Sequence, residues 1–219
     1  MIAKQRAGEK AAEFVSDGMI VGLGTGSTVT FTIKKIAERI HQGLRITAVS
    51  TSSATSRLAH ELNIPTVSIN EVSSIDLTID GADEIDPDFN GIKGGGGALL
   101  FEKIVANASK KNIWVVDSSK MVNVLGTFPI PVEIVPFGYI HTLKKLAQYN
   151  PVLRMKGNTI YETDSKHYIV DLHLKKIEDA KALDFALCNI PGVIETGLFI
   201  NIVNTIVKAT DTEVFVINK

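Results

Sequence analysis

The chain has 219 residues, of which 45% are hydrophobic and 21% charged, a composition that is typical of a globular protein and excludes a disordered one. Its 23 lysine and arginine residues balance 24 aspartate and glutamate residues, so no general field attracts nucleic acid or an anionic membrane surface. The one cysteine, Cys188, excludes an internal disulfide and a cysteine-based zinc cluster.

The N-terminal segment does not resemble a secretory signal. Residues 1–10 are charged throughout and lack an apolar core. No apolar run in the chain approaches the roughly 20 residues that are needed to span a bilayer. We therefore expect a cytoplasmic protein that binds neither membranes nor nucleic acid.

Hydrophobic periodicity predicts alternating helices and strands up to residue 116. Helices are predicted at 3–15, 29–40, 54–62 and 98–109, and strands at 19–23, 46–49, 64–68, 75–79 and 112–116. Such alternation is typical of a parallel sheet that is covered by helices on both faces. We predict an α/β fold with a Rossmann-like, doubly wound and mostly parallel sheet.

The pattern changes near residue 128, where two prolines follow in quick succession. The elements predicted beyond this point are a strand, a helix at 139–148, strands at 152–155 and 167–173, a helix at 178–188 and a strand at 192–196. This order is typical of a smaller α+β domain of the split βαβ, ferredoxin-like kind. Two last strands, at 205–209 and 213–217, are expected to return to the first sheet. The predicted domains are therefore 1–129 with 205–219, and 130–204.

Two hydroxyl-rich loops follow predicted strands. In Gly24-Thr-Gly-Ser-Thr28, the glycines let the backbone approach a ligand, and the next helix offers free N–H groups to a phosphate. The loop lacks the third glycine of a dinucleotide fingerprint and the lysine of a Walker loop. A tight turn with a Ser/Thr helix cap is the alternative interpretation. Thr51-Ser-Ser-Ala-Thr55 is interpreted first as such a cap.

Four carboxylates lie close together in Asp80-Gly-Ala-Asp-Glu-Ile-Asp86. Metal binding is one interpretation, although the segment lacks the length and the closing glutamate of an EF-hand loop. Acid–base chemistry, or hydrogen bonding to a polyhydroxylated ligand, is another. A solvated acidic turn is the third, and it fits Glu84 and Asp86 better than Asp80.

The most specific segment is Ile92-Lys-Gly-Gly-Gly-Gly-Ala-Leu-Leu-Phe-Glu-Lys103. Four consecutive glycines are costly in backbone entropy, so this backbone is expected to lie against another group. Lys93 can stabilise an oxyanion, and Glu102, in the first turns of the next helix, is placed for general-base duty. The alternative is an ordinary acidic residue in a helix first turn. Lys120 and Lys4 are further candidate cations, although surface lysines are more common. The five histidines show no metal-binding spacing.

Together these motifs resemble the A-type ribose-5-phosphate isomerase family. The resemblance extends to Asp117-Ser-Ser-Lys120, to Leu125-Gly-Thr-Phe-Pro-Ile-Pro-Val-Glu133 and to Ile190-Pro-Gly-Val193 with Gly197-Leu-Phe199, so it covers nearly the whole chain. It implies interconversion of ribose 5-phosphate and ribulose 5-phosphate in the non-oxidative pentose phosphate pathway, without metal or organic cofactor. It also implies a homodimer or homotetramer.

The resemblance also assigns residues. Glu102 matches the catalytic base of the family. The residues that match its substrate-binding segments are Thr25, Gly26, Ser27, Thr28, Asp80, Gly81, Ala82, Asp83, Lys93, Gly94, Gly95, Gly96 and Lys120, with Lys4 near the phosphate.

The reaction suggests a role for each catalytic candidate. Asp80 or Asp83 is expected to move a proton as the sugar ring opens, and the sequence leaves the choice between them open. Glu102 then takes the C2 proton, and Lys93 stabilises the enediolate. Two other functions remain as alternatives: an amino-sugar-phosphate deaminase, which also acts on phosphorylated sugars, and a sugar-phosphate sensor.

Overall fold

Six α-helices and fifteen β-strands make up the protein, and the computed structural model describes all residues from Met1 to Lys219. The helices are α1 (Ile2–Ala12), α2 (Val29–His41), α3 (Ser53–Glu61), α4 (Leu99–Asn107), α5 (Tyr139–Leu146) and α6 (Ala180–Cys188). None of these helices has the length and apolar character needed to cross a membrane.

The strands vary from two to six residues in length. They are β1 (Ile20–Leu23), β2 (Thr47–Ser50), β3 (Leu77–Asp80), β4 (Glu84–Ile85), β5 (Gly91–Ile92), β6 (Asn112–Asp117), β7 (Ile130–Ile134), β8 (Pro151–Leu153), β9 (Met155–Lys156), β10 (Thr159–Ile160), β11 (Tyr168–Leu172), β12 (Val193–Thr196), β13 (Leu198–Phe199), β14 (Thr205–Ala209) and β15 (Val214–Asn218).

The chain divides into two units. The first consists of Met1–Ala82, Phe101–Lys120 and Ile202–Lys219, and the second of Asp83–Leu100 and Met121–Asn201. Residues 83–100 and 121–129, which the sequence analysis grouped with the first domain, thus belong to the second unit. Residues 83–100 do so because β4, β5 and β13 pair in a small antiparallel sheet, and residues 121–129 contact this sheet through a bridge between Met121 and Ile85. As limits of independently folding domains, 1–129 with 205–219 and 130–204 stay a prediction.

The first unit is built on a six-stranded sheet in the order β15-β14-β6-β3-β1-β2. All neighbours are parallel except β15, which runs antiparallel to β14, so the predicted mostly parallel Rossmann-like sheet is confirmed. From β1 the chain proceeds to β2 on one side and to β3 and β6 on the other. The carboxyl ends of β1 and β3 therefore form a topological switch point, the place where open α/β sheets bind ligands.

The second unit contains a four-stranded antiparallel sheet in the order β12-β7-β11-β8. Along the chain, the strands of this sheet and the two helices follow in the order β7-α5-β8-β11-α6-β12, which is the predicted split βαβ arrangement. Its apolar core includes Ile130, Val132 and Val170, which are fully buried. Strands β9 and β10, which follow β8 and precede β11 in the sequence, pair with each other as a short hairpin.

One predicted strand and one of the alternative interpretations are wrong. Segment 64–68 is not a strand but makes a single parallel bridge between Thr66 and Ala48. Pro65 has no N–H to donate to a ladder, and a 3₁₀ turn, Ile69–Glu71, follows at once. Glu84 is not solvated: it is buried, and its carboxylate accepts hydrogen bonds from the N–H groups of Gly126 (2.8 Å) and Phe128 (2.6 Å).

Glu133 gives the second unit a pH-dependent stability. This β7 residue is 1% exposed, and its Oε1 accepts a hydrogen bond from the Thr163 hydroxyl at 2.9 Å and lies 3.0 Å from His167 Nδ1. Burial raises the pKa of Glu133, the Thr163 and His167 hydrogen bonds partly offset this, and the charge of Glu195 adds to the rise. Folding therefore makes the Glu133 carboxyl group harder to ionise.

Glu133→Gln is expected to gain stability relative to the wild type as the pH rises. A raised pKa in the folded state stabilises most below the unfolded pKa, and this contribution is lost as the pH rises through the folded value. The side-chain amide of the Glu133→Gln variant does not ionise, so the variant does not lose stability in this way as the pH rises. Thermal unfolding of both proteins from pH 4 to pH 7 measures the difference. A gap in unfolding temperature that does not change with pH would contradict the prediction.

Candidate active site

The two hydroxyl loops meet at the carboxyl ends of β1 and β2. The Thr25 hydroxyl lies 2.8 Å from those of Thr51 and Ser52 and 3.1 Å from that of Thr55. Ser52 also caps α3 by accepting the Thr55 N–H at 3.1 Å, so the interpretation of this loop as a helix cap is confirmed. The same residues thus fix the first loop through Thr25.

The first loop is not itself a side-chain cap. Thr28 is the N-cap residue of α2 but makes no side-chain capping hydrogen bond. The alternative interpretation of this loop is therefore right about a threonine at the N-cap position but wrong about a side-chain capping hydrogen bond. Gly26 and Ser27 are exposed, and Gly26 has a φ of 122°, which a residue with a side chain rarely adopts. The tip of the loop presents backbone and a hydroxyl to solvent.

Asp80 holds the first loop from the end of β3. It is 3% exposed, and its Oδ1 accepts hydrogen bonds from the N–H groups of Thr25 (3.0 Å) and Gly81 (2.7 Å). A Cβ at Gly24 would lie 2.1 Å from the same oxygen, so the close approach requires glycine there. Asp80 is a buried carboxylate bound by backbone donors, and a solvated acidic turn does not describe it.

Two lysines approach the same part of the first unit. Lys4 on α1 donates a hydrogen bond from Nζ to the Ser27 hydroxyl at 3.0 Å. Burial acts to raise the pKa of Asp117 at the end of β6, but hydrogen bonds from Ser119 and the charges of Lys120 and Lys4 leave it lowered. Lys4 and Lys120 are thus both close enough to Asp117 to act on its charge.

Glu102 is turned towards the interior of the protein. It lies on α4 and is 4% exposed, whereas its neighbours Phe101 and Ile104 are 36% and 46% exposed. The helix therefore presents an apolar stripe outwards and this carboxylate inwards. Water is largely excluded from a group so placed, which suits a general base more than a solvated helix residue.

In the second unit, Asp83 is bound to the glycine loop. Its Oδ2 accepts the Gly95 N–H at 2.8 Å, and a Cβ at Gly95 would lie 2.9 Å from its Oδ1. Asp83 is half-buried, unlike Asp80. Gly94 and Gly97 have φ values of 103° and 82°, so the loop needs glycine for its conformation as well as for space.

Lys93 enters this loop from the end of β5. Its side chain is 3% exposed, and Nζ lies 5.3 Å from the centre of the Phe199 ring, a cation–π contact. Its N–H donates to the Gly197 carbonyl at 2.8 Å. A cation in so dry a place acts strongly on any nearby negative charge.

Residues that the sequence analysis missed surround the glycine loop. Arg154 donates from Nη1 to the carbonyls of Gly94 and Gly95, and the Tyr161 hydroxyl donates to that of Gly96. Arg154 is 60 residues from Gly94 along the chain, and no motif near it marks the contact.

A separate polar cluster lies elsewhere in the second unit. Asp184, Cys188 and Glu195 bring three potential metal-ligand atoms within 4.8 Å of one another. Cys188 is an exposed residue of α6. Thr196 donates its N–H to Glu195 and its hydroxyl to Asp184, so the two acids are held by this residue. None of these residues belongs to the predicted site segments.

Comparison with known proteins identifies the family. The family model for ribose 5-phosphate isomerase A (phosphoriboisomerase A) matches residues 47–213. The chain belongs to this family. A ribose-5-phosphate isomerase A of Enterococcus faecalis is 54% identical over 213 residues, which cover 94% of this chain and 93% of that protein. One of Limosilactobacillus reuteri is 49% identical over 211 residues, with the same coverage of both proteins.

Solved structures of ribose 5-phosphate isomerases share the fold. That of Methanocaldococcus jannaschii is 35% identical, covers 99% of this chain and 98% of its own, and has a TM-score of 0.93. A D-ribose-5-phosphate isomerase in complex with phospho-erythronic acid is 35% identical with the same coverage and a TM-score of 0.95. The expected family, fold class and isomerase activity are therefore confirmed. The interconversion of ribose 5-phosphate and ribulose 5-phosphate belongs to the pentose phosphate pathway, as the sequence resemblance implied.

Proposed function

We propose that this ribose-5-phosphate isomerase works by ring opening followed by an enediolate intermediate, with Glu102 as the base and no metal or organic cofactor. The observation that carries the proposal is the burial of Glu102 on the helix that directly follows the Lys93–Gly97 loop. A carboxylate removes and returns a carbon-bound proton best when water does not compete for it.

Asp83, and not Asp80, is proposed to move the proton during ring opening. Asp80 is 3% exposed, and one of its oxygens is occupied by two backbone N–H groups. Asp83 is half-buried and has a single backbone donor on Oδ2. In the ring-opening step, a carboxylate takes the proton of the C1 hydroxyl and gives it to the ring oxygen as the C1–O bond of the ring breaks, so an accessible group is needed. Asp80 instead fixes the first loop.

Glu102 is proposed to perform the isomerisation itself. It takes the proton from C2 of the open aldose, and the electrons of the C–H bond form the enediolate as negative charge develops on the C1 oxygen. The same carboxyl group then gives a proton to C1, while the proton of the C2 hydroxyl passes to the C1 oxygen, which leaves a ketone at C2 and a hydroxyl at C1. No external oxidant or reductant is needed, because one carbon is oxidised and the other reduced.

Charge on the enediolate is proposed to be stabilised by Lys93 and by the amides of Gly94, Gly95 and Gly96. Lys93 is 3% exposed and held against Phe199, so its charge is fixed before the intermediate forms. Preorganised donors of this kind stabilise a developing oxyanion more than they stabilise the neutral substrate.

The phosphate is proposed to bind at residues 25–28, with Lys4 and Lys120 as cations and 80–83 binding the sugar hydroxyls. The exposed loop tip, the start of α2 and the Lys4–Ser27 hydrogen bond of 3.0 Å support this assignment. Phospho-erythronic acid, with which one solved relative is in complex, carries a phosphate and a carboxylate. Such a ligand offers its phosphate to the proposed phosphate-binding residues and its carboxylate to Lys93 and the glycine-loop amides.

Lys4→Met is expected to raise KM for ribose 5-phosphate about 10-fold with a smaller change in kcat. Loss of one charge-assisted hydrogen bond to the phosphate costs about 1.5 kcal/mol in ground and transition state alike. Steady-state kinetics measures both constants. Lys10→Met is the matched control, because Lys10 lies on the same helix but pairs with Glu13. An unchanged KM in Lys4→Met would remove Lys4 from the phosphate site.

We also propose a cytoplasmic homodimer or homotetramer. Two aromatic side chains of the second unit, Phe137 and Phe185, are 93% and 73% exposed. Aromatic side chains are enriched in surfaces that contact another protein chain relative to the rest of a protein surface. Light scattering after size-exclusion chromatography gives the mass, which for a monomer would be 23.7 kDa.

The function is tested by measuring conversion of ribose 5-phosphate to the ketose in excess EDTA. Full activity with EDTA is expected, and activity that disappears with EDTA and returns with a divalent ion would overturn the cofactor-free mechanism. Ammonia release from glucosamine 6-phosphate in place of isomerisation would show a deaminase. Binding of ribose 5-phosphate without turnover of either substrate would indicate a sensor.

A further inference from the structure

The side chain of Arg154 joins two parts of the second unit. It lies between β8 and β9, and its side chain is 15% exposed. Nε and Nη2 donate to the two carboxylate oxygens of Asp171, at 2.9 and 2.5 Å. Nη1 donates to the carbonyls of Gly94 at 2.9 Å and Gly95 at 3.2 Å. The planar guanidinium is thus held on one side by Asp171 and directs its other side at the glycine loop.

The peptide group between Gly94 and Gly95 links Arg154 to Asp83. Its carbonyl oxygen accepts from Arg154, and its N–H donates to Asp83 Oδ2 at 2.8 Å. The positive end of the peptide dipole therefore points at the carboxylate and the negative end at the guanidinium. Each hydrogen bond polarises the peptide in the direction that strengthens the other.

Tyr161 extends this arrangement along the loop. Its ring centre lies 5.9 Å from the Arg154 guanidinium carbon, and its hydroxyl donates to the Gly96 carbonyl at 3.4 Å. The carbonyls of Gly94, Gly95 and Gly96 are thus all bound by these two side chains. Four consecutive glycines have more backbone freedom than any other four residues. A loop of this kind therefore needs anchors outside itself to keep one conformation.

We propose that Arg154 is a positioning residue for ring opening, acting on Asp83 through the Gly94–Gly95 peptide. With Arg154 in place, the N–H of that peptide is kept towards Asp83 and fixes the carboxylate for proton transfer. If the peptide turned over, its carbonyl oxygen would face the carboxylate and repel it. The inference rests on the role in ring opening that is proposed for Asp83.

The test separates ring opening from isomerisation. Ribulose 5-phosphate carries its phosphate on the oxygen that would close a furanose ring, so it is acyclic. Deuterium from D₂O enters its C1 position when the enediolate forms, the proton held by Glu102 exchanges with solvent and a deuteron is returned, and no ring has to open. Turnover of ribose 5-phosphate, by contrast, needs both steps. The two rates are measured for the wild type, Arg154→Ala, Arg154→Lys and Asp171→Asn.

Arg154→Ala is expected to lower kcat for ribose 5-phosphate at least about 10-fold while C1 exchange falls less than about 3-fold, because Asp83 is misplaced in the step that it performs, whereas Lys93 keeps the charge that stabilises the enediolate. Guanidinium ion at millimolar concentration is expected to restore part of the turnover. Arg154→Lys replaces the planar guanidinium with one ammonium group, and its turnover of ribose 5-phosphate is expected to lie between that of Arg154→Ala and that of the wild type. Asp171→Asn leaves the donors to the glycine carbonyls in place and is expected to lose stability but little turnover.

Several results would overturn the inference. Unchanged turnover in Arg154→Ala would show that the loop does not need this anchor. Equal losses of turnover and C1 exchange would show that Arg154 acts on the whole loop or on the fold, and equal losses in Asp171→Asn would point to the ion pair alone. A wild type that shows neither turnover nor exchange would instead overturn the proposed function.

Discussion

Glu102→Gln is expected to lower kcat for ribose 5-phosphate at least about 100-fold while KM changes little. Glutamine has nearly the shape of glutamate, so the buried position on α4 is kept, but an amide cannot accept the C2 proton. Because the same carboxyl group handles the proton in both directions, C1 deuterium exchange of ribulose 5-phosphate is expected to fall as much as turnover. Steady-state kinetics and mass spectrometry of the sugar phosphate measure the two losses.

Two further variants show whether the loss comes from the missing base. Glu133→Gln replaces another buried glutamate, 1% exposed, outside the proposed catalytic residues, and is expected to keep its activity. Glu102→Asp keeps the carboxylate but shortens the side chain by one methylene, so its activity is expected to lie between wild type and Glu102→Gln. Near-normal turnover in Glu102→Gln would exclude Glu102 as the base.

The parts of the site that the sequence predicted are those in which ligand-binding groups lie next to each other along the chain. Gly24–Thr28 follows a buried strand and precedes an amphipathic helix, so the sequence itself places the loop at a strand end. The four glycines after Lys93 likewise predict a backbone that lies against another group, because their backbone entropy makes them costly to keep. In both cases the structure adds the particular contact, such as Asp80 against Gly24.

The parts that sequence reasoning missed depend on contacts between distant segments. Strands β4, β5 and β13 have two residues each, too few for any periodicity to show. A solvated turn was one open interpretation for Glu84, because its partners, the N–H groups of Gly126 and Phe128, lie more than 40 residues away along the chain. Arg154 belongs to the same class, since nothing in its neighbourhood indicates the glycine carbonyls that it binds.

The choice between Asp80 and Asp83 shows a different limit. Both acids belong to one short motif, and residue type alone does not distinguish them. Their surroundings do: Asp80 is bound by the Thr25 and Gly81 amides at the end of β3, whereas Asp83 is half-buried beside Gly95. Division of roles within a motif is therefore a property of the fold, which decides how much water and how many donors each carboxylate meets.

Lys93→Met is expected to lower kcat about 100-fold, with KM changed less than about 3-fold. Methionine fills much of the space of the lysine stem against Phe199, so packing is largely kept while the charge is lost. The effect falls on kcat because the enediolate carries negative charge and the sugar part of the substrate does not. Steady-state kinetics with ribose 5-phosphate measures how much of the loss falls on kcat and how much on KM.

Lys111→Met is the matched control for this prediction. Lys111 Nζ also lies 5.3 Å from the centre of a phenylalanine ring, that of Phe14, so the control removes the same kind of contact without touching the proposed site. Full activity is expected there, together with a similar small change in unfolding temperature. An effect of Lys93→Met on KM alone would mean that the ammonium binds the ground state, and the enediolate charge would then have to be stabilised by the glycine-loop amides.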